Sequence, residues 1–324
     1  MKIKGMIKIA GILIFSAILG KNLNAQERND VIKYYNEGAK AMQTDLPVAI
    51  EAFENVITLS DQVGETADDL REKAVKVLPG LYFKVAYKLL NEKKPATEII
   101  QAAKKAAAAA EKYGSSSNKT NSEKVLVQAY NSVASEYFSK NDYANALITF
   151  DSLLAINPSY LNAIYNKAMI YVKQDSADAF EETIDLFIDK VKSANDEEKV
   201  QMSSKMALEY FRGAGSRAVQ ADNLDEALAL LTKAAKYGDD KDLYYYFADV
   251  YNKQKNFELG AENGQKGLDL ETGDAEAKAK FYFQLGLAQE GKGQISEACA
   301  SFKNSSYGAF AEPSKIQRSN LKCD

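Results

Sequence analysis

The sequence predicts an all-α fold, and three observations support this expectation. Hydrophobic residues make up 46% of the 324 positions, which is enough to bury a sizeable core. Alanine is abundant, there are only 5 prolines, and stretches that alternate Val, Ile and Thr as strands do are hard to find. Small and large apolar residues also recur at the spacing of one helical face. Helices alone are therefore expected to build the core.

The recurring pattern is clearest in the middle of the chain and near its C-terminus. The middle copy consists of Tyr130, Val133, Ala134, Tyr137, Ala146, Phe150 and Pro158. The C-terminal copy consists of Tyr282, Leu285, Gly286, Ala298 and Phe302. Within each copy the small residue lets two helices approach closely, and the large residue four positions later lies on the same helical face and fills the gap. The pattern is a folding signal, with almost no information about chemistry.

Both copies resemble the tetratricopeptide repeat (TPR) family, in which each repeat is a pair of antiparallel helices. Five weaker copies follow the same plan, and the small residues that mark successive pairs are 33 to 50 residues apart. The resemblance implies an all-α, right-handed solenoid of about seven antiparallel helix pairs, a TPR-like superhelix. The uneven spacing implies insertions between some of the pairs.

Composition along the chain suggests where the array divides. Residues 26–113 are expected to form N-terminal helix pairs, and the Ser- and Asn-rich stretch 114–122 an exposed linker loop. Residues 123–312 would form the C-terminal array, and 313–324 a C-terminal tail. A helical pattern runs into Pro79, where the helix is expected to kink rather than stop, because proline removes one internal hydrogen bond.

The N-terminus has the pattern of an export signal over residues 1–25. Three lysines precede the uncharged apolar run Ile9–Gly20, which is too short to span a bilayer comfortably, and Ala25 precedes the expected cleavage site. The alternative is an uncleaved anchor. With the signal removed, the mature chain is expected to have no transmembrane span and to lie in the periplasm or with the cell envelope.

Charge and composition weigh against two classes of function. The signal would take four of the 41 basic residues and none of the 45 acidic ones, so that the net charge would fall from −4 to about −8. Such an acidic chain has no electrostatic footprint for nucleic acid. The sequence has no His, the usual general base and the commonest metal ligand. We therefore expect no enzymatic activity, no metal and no cofactor.

The resemblance also implies where a partner would bind. In TPR proteins the first helix of each pair lines a groove that contacts a peptide or protein. The matching positions here are Asn131, Ser135, Phe138, Tyr165, Met169, Val172, Arg212, Tyr245, Asp249 and Phe283. For each aromatic residue the alternative is packing against the next repeat. The Lys and Asn pair with which some members hold a partner's C-terminal carboxylate is missing, since Asn131 stands with Ser135 and Arg212 with Ser216.

The only two cysteines, Cys299 and Cys323, both lie in the part of the chain expected in an oxidising compartment. A bridge between them would tie the C-terminal tail to the second helix of the last repeat and cover the end of the array. The alternative is a buried, free Cys299 and a disordered tail that carries a reactive Cys323. Two free thiols in the unfolded, non-reduced protein would rule the bridge out.

Three functions remain open from the sequence. The first is a non-catalytic protein-binding scaffold or adaptor of the cell envelope that uses the groove. The second is an exported glycan- or small-molecule-binding protein with helical repeats, although the sequence has no Trp platform. The third, an enzyme with a pair of carboxylates, would need a defined separation in a cleft that sequence spacing cannot establish.

Overall fold

The structure, a computed structural model, describes residues 27–323, which are helical and include no strand. The chain divides into two compact units between Ala163 and Ile164. The helices of the first unit are α1 (27–41), α2 (Leu46–Val63), α3 (Asp68–Asn91), α4 (Ala96–Lys112), α5 (Ser116–Ser139) and α6 (Tyr143–Ile156). The next helix, α7 (Leu161–Lys173), begins at the end of this unit.

The second unit continues the same succession of helices. Its remaining helices are α8 (Ala177–Ser193), α9 (Glu197–Gln220), α10 (Leu224–Ala235), α11 (Lys241–Lys253), α12 (Phe257–Leu270), α13 (Ala275–Gly291), α14 (Ile295–Asn304) and α15 (Ala311–Asn320). Short 3-10 helices at Glu65–Ala67 and Gly308–Phe310 precede α3 and α15.

Consecutive helices form antiparallel pairs because short turns connect them and their apolar faces meet. In the first pair, the ring of Tyr35 on α1 lies 5.6 Å from that of Phe53 on α2. In the fourth pair, Tyr165 on α7 and Phe187 on α8 lie 5.4 Å apart. Seven such pairs, α1/α2 to α13/α14, are followed by α15 within the described residues. The predicted fold class, an all-α array of about seven helix pairs, is confirmed.

The repeat signature occupies the interior of these pairs. Ala146 and Phe150, like Ala298 and Phe302, have no exposed surface. Gly286 on α13 explains why a glycine belongs in the pattern, since a Cβ atom there would lie 2.6 Å from the Phe302 ring. Large rings therefore fill the space that small residues leave open.

Two apolar clusters contribute to the interior of the first unit. One joins α1, α2 and α3 around Phe53 and Leu78, both fully buried. The other is rich in alanine, and Ala103 and Ala106 of α4 pack there with Val125 of α5. The small side chains of α4 let its neighbours approach closely.

Residues with positive φ terminate many of the helices. Non-glycine residues take this conformation two or three positions before the next helix at Lys93, Asn141, Asp175, Asn195, Asp222 and Lys255, and after α15 at Lys322. Aspartate then often caps the following helix, as when the Asp142 carboxylate accepts from the backbone N–H of Asn145. The turns are thus short and alike, and within each unit they keep neighbouring helices in contact.

The structure corrects two of the expected boundaries. The stretch 114–122 is not a linker loop, because α5 begins at Ser116 and Ser122 is fully buried. The hydroxyl of Ser122 donates to the backbone carbonyl of Asn118, so its hydrogen bond is made within the helix and the side chain can be buried there. The expected tail 313–324 is mostly helical, since α15 extends to Asn320. Helix α3 passes through Pro79 without stopping.

The C-terminal end is held by one covalent bond and two side-chain contacts. A disulfide joins Cys299 on α14 to Cys323 beyond α15, with their Cα atoms 5.6 Å apart. The buried hydroxyls of Ser305 and Ser314 form a hydrogen bond of 2.6 Å. The ring of Phe310 lies 5.4 Å from that of Phe283 on α13. Helix α15 is therefore fastened to the last helix pair.

Helices α1 to α15 offer no segment that is both long and apolar enough to cross a bilayer. The expected signal, its apolar run and the cleavage site after Ala25 lie outside the described residues.

Candidate functional site

The first helices of successive pairs in the second unit place polar side chains next to one another. Helix α11 contacts both α9 and α13, and each contributes charged residues to the shared surface. Arg212 on α9 forms a partly buried ion pair with Asp240, whose carboxylate also accepts from the N–H of Leu243 and caps α11. The salt bridge therefore connects α9 to the start of α11.

Lys280 on α13 makes the corresponding connection from the other side. Its ammonium donates to the carboxylate of Asp242 at 2.5 Å and lies over the rings of Tyr245 and Phe281, at 5.4 and 4.9 Å from their centroids. Burial raises the pKa of the Asp242 carboxyl, but the hydrogen bond from Lys280 and the positive charges of Lys280, Arg212 and Lys241 together hold that pKa below its ordinary value. The two aromatic rings and the Asp242 carboxylate together hold the Lys280 ammonium in place.

A hydrogen-bonded group of amides continues the connection along α11 and α13. The amide of Asn252 donates to both the backbone and the side-chain oxygen of Gln284, each at 2.9 Å, and both residues are buried. Gln284 in turn donates to Asp249 at 3.2 Å, and Lys253 lies 3.6 Å from the same carboxylate. Burial raises the pKa of the Tyr245 hydroxyl, which lies near Asp249. These hydrogen bonds join the two helices, and the side-chain oxygen of Asn252 is buried without a hydrogen-bond partner among the described residues.

A cleft of about 400 Å³ opens beside this network, between α11, α12, α13 and α15. We call it the C-terminal cleft, and its lining comprises Asp249, Asn252, Lys253, Phe257, Leu287, Glu290, Gly291 and Gln317. Gly291 lets α13 approach the Phe257 ring closely, because a Cβ atom there would overlap that ring. Within residues 27–323, the carboxylate of Glu290 forms no ion pair and no hydrogen bond. The cleft thus combines an apolar floor with one unpaired charge.

The sequence-predicted groove residues lie in both units. Asn131, Ser135 and Phe138 are on α5, where Ser135 is exposed and the Phe138 ring lies 6.1 Å from that of Tyr143. Tyr165, Met169 and Val172 are on α7 and half-buried.

Three of the predicted residues lie on α9 and α11, the helices that help build the site. Arg212 acts on α11 through Asp240, Tyr245 lies under Lys280, and Asp249 lines the C-terminal cleft. Phe283 is instead a packing residue, since its ring lies 5.7 Å from Phe302 and 5.4 Å from Phe310. These contacts are with the second helix of its own pair and with the 3-10 helix that precedes α15.

Several residues of the site were not predicted from the sequence. They are Asp240, Asp242, Asn252, Lys253, Phe257, Lys280, Gln284, Leu287 and Glu290. One signal could have found some of them: Gln284 is polar within an apolar run, and Lys280, Gln284 and Leu287 follow helical spacing. Asp240 has its partner Arg212 28 positions away, and Lys280 has its partner Asp242 38 positions away. No local sequence pattern reveals such pairs.

The paired carboxylates predict how stability depends on pH. The hydrogen bond from Lys241 and the N–H of Gly273 hold the pKa of the Glu271 carboxyl below its ordinary value, as Lys280 does for Asp242. A lowered folded-state pKa contributes stability above the unfolded-state pKa, and this is lost as pH falls through the folded-state value. We expect the wild-type chain to lose about 1–2 kcal/mol more than Asp242→Asn/Glu271→Gln between roughly pH 5 and pH 3.

Urea unfolding at a series of pH values measures this difference. The two curves should keep a constant separation above roughly pH 5 and converge as the pH falls to roughly 3. Curves that stay parallel over this range would show that the two carboxylates have ordinary pKa values in the folded chain.

No known family model matches the sequence, and no curated protein matches it. Among solved structures, a tetratricopeptide repeat protein from Parabacteroides merdae is 17% identical, with 92% of this chain and 99% of that chain covered and a TM-score of 0.32. MamA is 18% identical over 61% of this chain and 97% of its own, with a TM-score of 0.34. YrrB, a TPR protein with an unusual peptide-binding site, is 16% identical over 55% and 84%, with a TM-score of 0.32. With scores this low, the fold class rests on the helix pairs of the chain itself.

Proposed function

We propose that the chain is a non-catalytic scaffold or adaptor of the cell envelope that binds a peptide segment of a partner protein. The observation that carries the proposal is the C-terminal cleft, in which Phe257 and Leu287 face the unpaired carboxylate of Glu290. A segment with an apolar side chain would bury it against the floor and place a hydrogen-bond donor at Glu290. Burial and a charge-assisted hydrogen bond both favour such a complex.

The neighbouring polar groups support binding rather than catalysis. Asp249, Asn252 and Gln284 are engaged with one another, and they position helices instead of activating a nucleophile. The sequence also lacks His, the side chain best suited to proton transfer near neutral pH. A rigid, preformed surface is what a peptide-binding cleft needs, since little conformational entropy is lost when the partner binds.

Two observations support placement in the cell envelope. The N-terminal sequence has the charge and apolar pattern of an export signal. The bond between Cys299 and Cys323 is of a kind that persists in oxidising compartments and is rare in the cytosol. A mature chain released outside the cytosol is therefore part of the proposal.

Site-specific photo-crosslinking tests the cleft as the binding surface. A photoreactive residue at Leu287, introduced into the full chain in its native envelope, is expected to form one dominant adduct with a partner protein. Adding Glu290→Lys should reduce that adduct at least tenfold, because the reversed charge repels the donor that the cleft would bind.

The matched control places the same photoreactive residue at Lys303, which is exposed on α14 and does not line the cleft. It should give no adduct of that mass. Equal labelling from both positions, or an adduct that Glu290→Lys leaves unchanged, would show that the cleft is not where the partner binds.

A further inference from the structure

A second groove lies in the first unit, between α2, α3 and α4, and has a volume of about 480 Å³. We call it the N-terminal groove. Its floor is apolar and is formed by Ile50 of α2, Val85 and Leu89 of α3, and Ala102 of α4. None of the groove residues predicted from the sequence lies here, because that prediction followed the first helices from Asn131 onward.

The charges along this groove are mostly negative. Glu51 and Glu54 on α2 and Glu98 on α4 face it, against a single lysine in its lining, Lys105. The side chains of Glu51 and Glu98 form no ion pair or hydrogen bond with any residue from 27 to 323. The groove therefore has two unpaired carboxylates, one on each of its two sides.

Glu54 is held in place by the floor of the groove. The hydroxyl of Tyr82 on α3 donates to its carboxylate at 2.6 Å. Burial, with the neighbouring Glu54, raises the pKa of Tyr82, so the phenol keeps its proton and remains a donor. A hydrogen bond within the chain therefore holds the Glu54 side chain beside the apolar floor.

We infer that the N-terminal groove docks a basic amphipathic segment of a partner protein, in addition to the segment bound by the C-terminal cleft. An apolar side chain of the segment lies on Val85, Leu89 and Ala102, and Lys or Arg side chains on either flank pair with Glu51 and Glu98. Charge complementarity selects this occupant, because an acidic segment would place like charges together at the two rims. An unpaired carboxylate beside apolar surface gains most from a cation that also covers that surface.

Fluorescence anisotropy with a matched pair of labelled peptides tests the inference. Both peptides have leucines at helical spacing, and one has lysines where the other has glutamates. The protein is the full mature chain with Glu290→Lys, so that binding of a basic peptide at the C-terminal cleft is weakened. The lysine peptide is expected to bind at least tenfold more tightly than the glutamate peptide, and its affinity should fall as salt is added.

Charge reversal then locates the binding surface. Glu51→Lys/Glu98→Lys should weaken binding of the lysine peptide at least tenfold, and Glu51→Gln/Glu98→Gln should weaken it less. The control Glu65→Lys/Glu72→Lys makes the same change in net charge at exposed residues outside the groove, and it should leave the affinity within about twofold. Circular dichroism of each variant confirms that the helices are retained.

Three outcomes would overturn the inference. Equal binding of the two peptides would show that charge complementarity does not select the occupant. Equal weakening by the groove and control variants would show that only the net charge of the protein matters. Sedimentation that shows a dimer in the wild-type chain, lost in Glu51→Lys/Glu98→Lys, would identify a second copy as the occupant. None of these results bears on the C-terminal cleft, so the two binding surfaces are tested separately.

Discussion

Phe211→Ala is expected to lower the free energy of unfolding of the second unit by about 3–5 kcal/mol. Phe211 on α9 is fully buried. Its ring lies 5.6 Å from that of Phe180 on α8 and is stacked on Tyr237, just beyond α10, at 5.8 Å. Alanine would remove the side chain that joins three successive helices and leave a cavity that rigid neighbours fill only in part.

Urea unfolding and amide hydrogen exchange measure the effect together. Exchange should accelerate most in α8 to α10, because a repeat protein loses stability first where neighbouring helices no longer support each other. Phe211→Leu is the matched control, since leucine keeps most of the volume, and it should cost about 1 kcal/mol. Similar losses for the two variants would mean that the three helices do not depend on this ring.

The second large effect is expected from Cys299→Ser/Cys323→Ser. The disulfide closes a loop with a sequence separation of 24, and its loss should lower the stability of α15 against detachment by about 3 kcal/mol. The hydrogen bond between Ser305 and Ser314 remains and still docks the helix, so the rest of the second unit should stay folded. Hydrogen exchange over residues 311–323 is the direct measurement.

Reduction provides the control for this second prediction. Dithiothreitol should raise the exchange rate of α15 in the wild-type chain to that of the double variant, and should leave the variant unchanged. Unchanged protection of α15 in the double variant would show that the noncovalent contacts are sufficient to hold it.

The sequence predicts the helix pairs well because their signal is local. Ala146 and Phe150, or Ala298 and Phe302, are four positions apart and face the same neighbour, so the pattern that identifies them is the packing itself. The predicted linker at 114–122 was wrong for a related reason. Serine and asparagine are common in loops. Here, however, the Ser122 hydroxyl donates to a backbone carbonyl of its own helix, and the side chain is buried.

The candidate site was harder to predict because it depends on partners from other helices. The sequence pattern places Arg212 on the first helix of a pair, as the structure does. The ion pair that Arg212 forms, however, depends on Asp240, which lies 28 residues later. Glu51 and Glu98 are ordinary surface glutamates in the sequence. They become candidate binding residues because they have no partner among the described residues and because the apolar floor of the N-terminal groove lies between them. Both features arise from the tertiary structure.

The pairing of each helix with its neighbours in sequence also has a consequence for kinetics. Contacts between adjacent helices give a low contact order, so folding can nucleate at any pair and spread along the chain. Cys323 lies 24 residues after Cys299, and α14 and α15 bring the two thiols together as they dock. Formation of the disulfide then depends only on the docking of α15 on α14. It need not wait for the N-terminal helix pairs to fold.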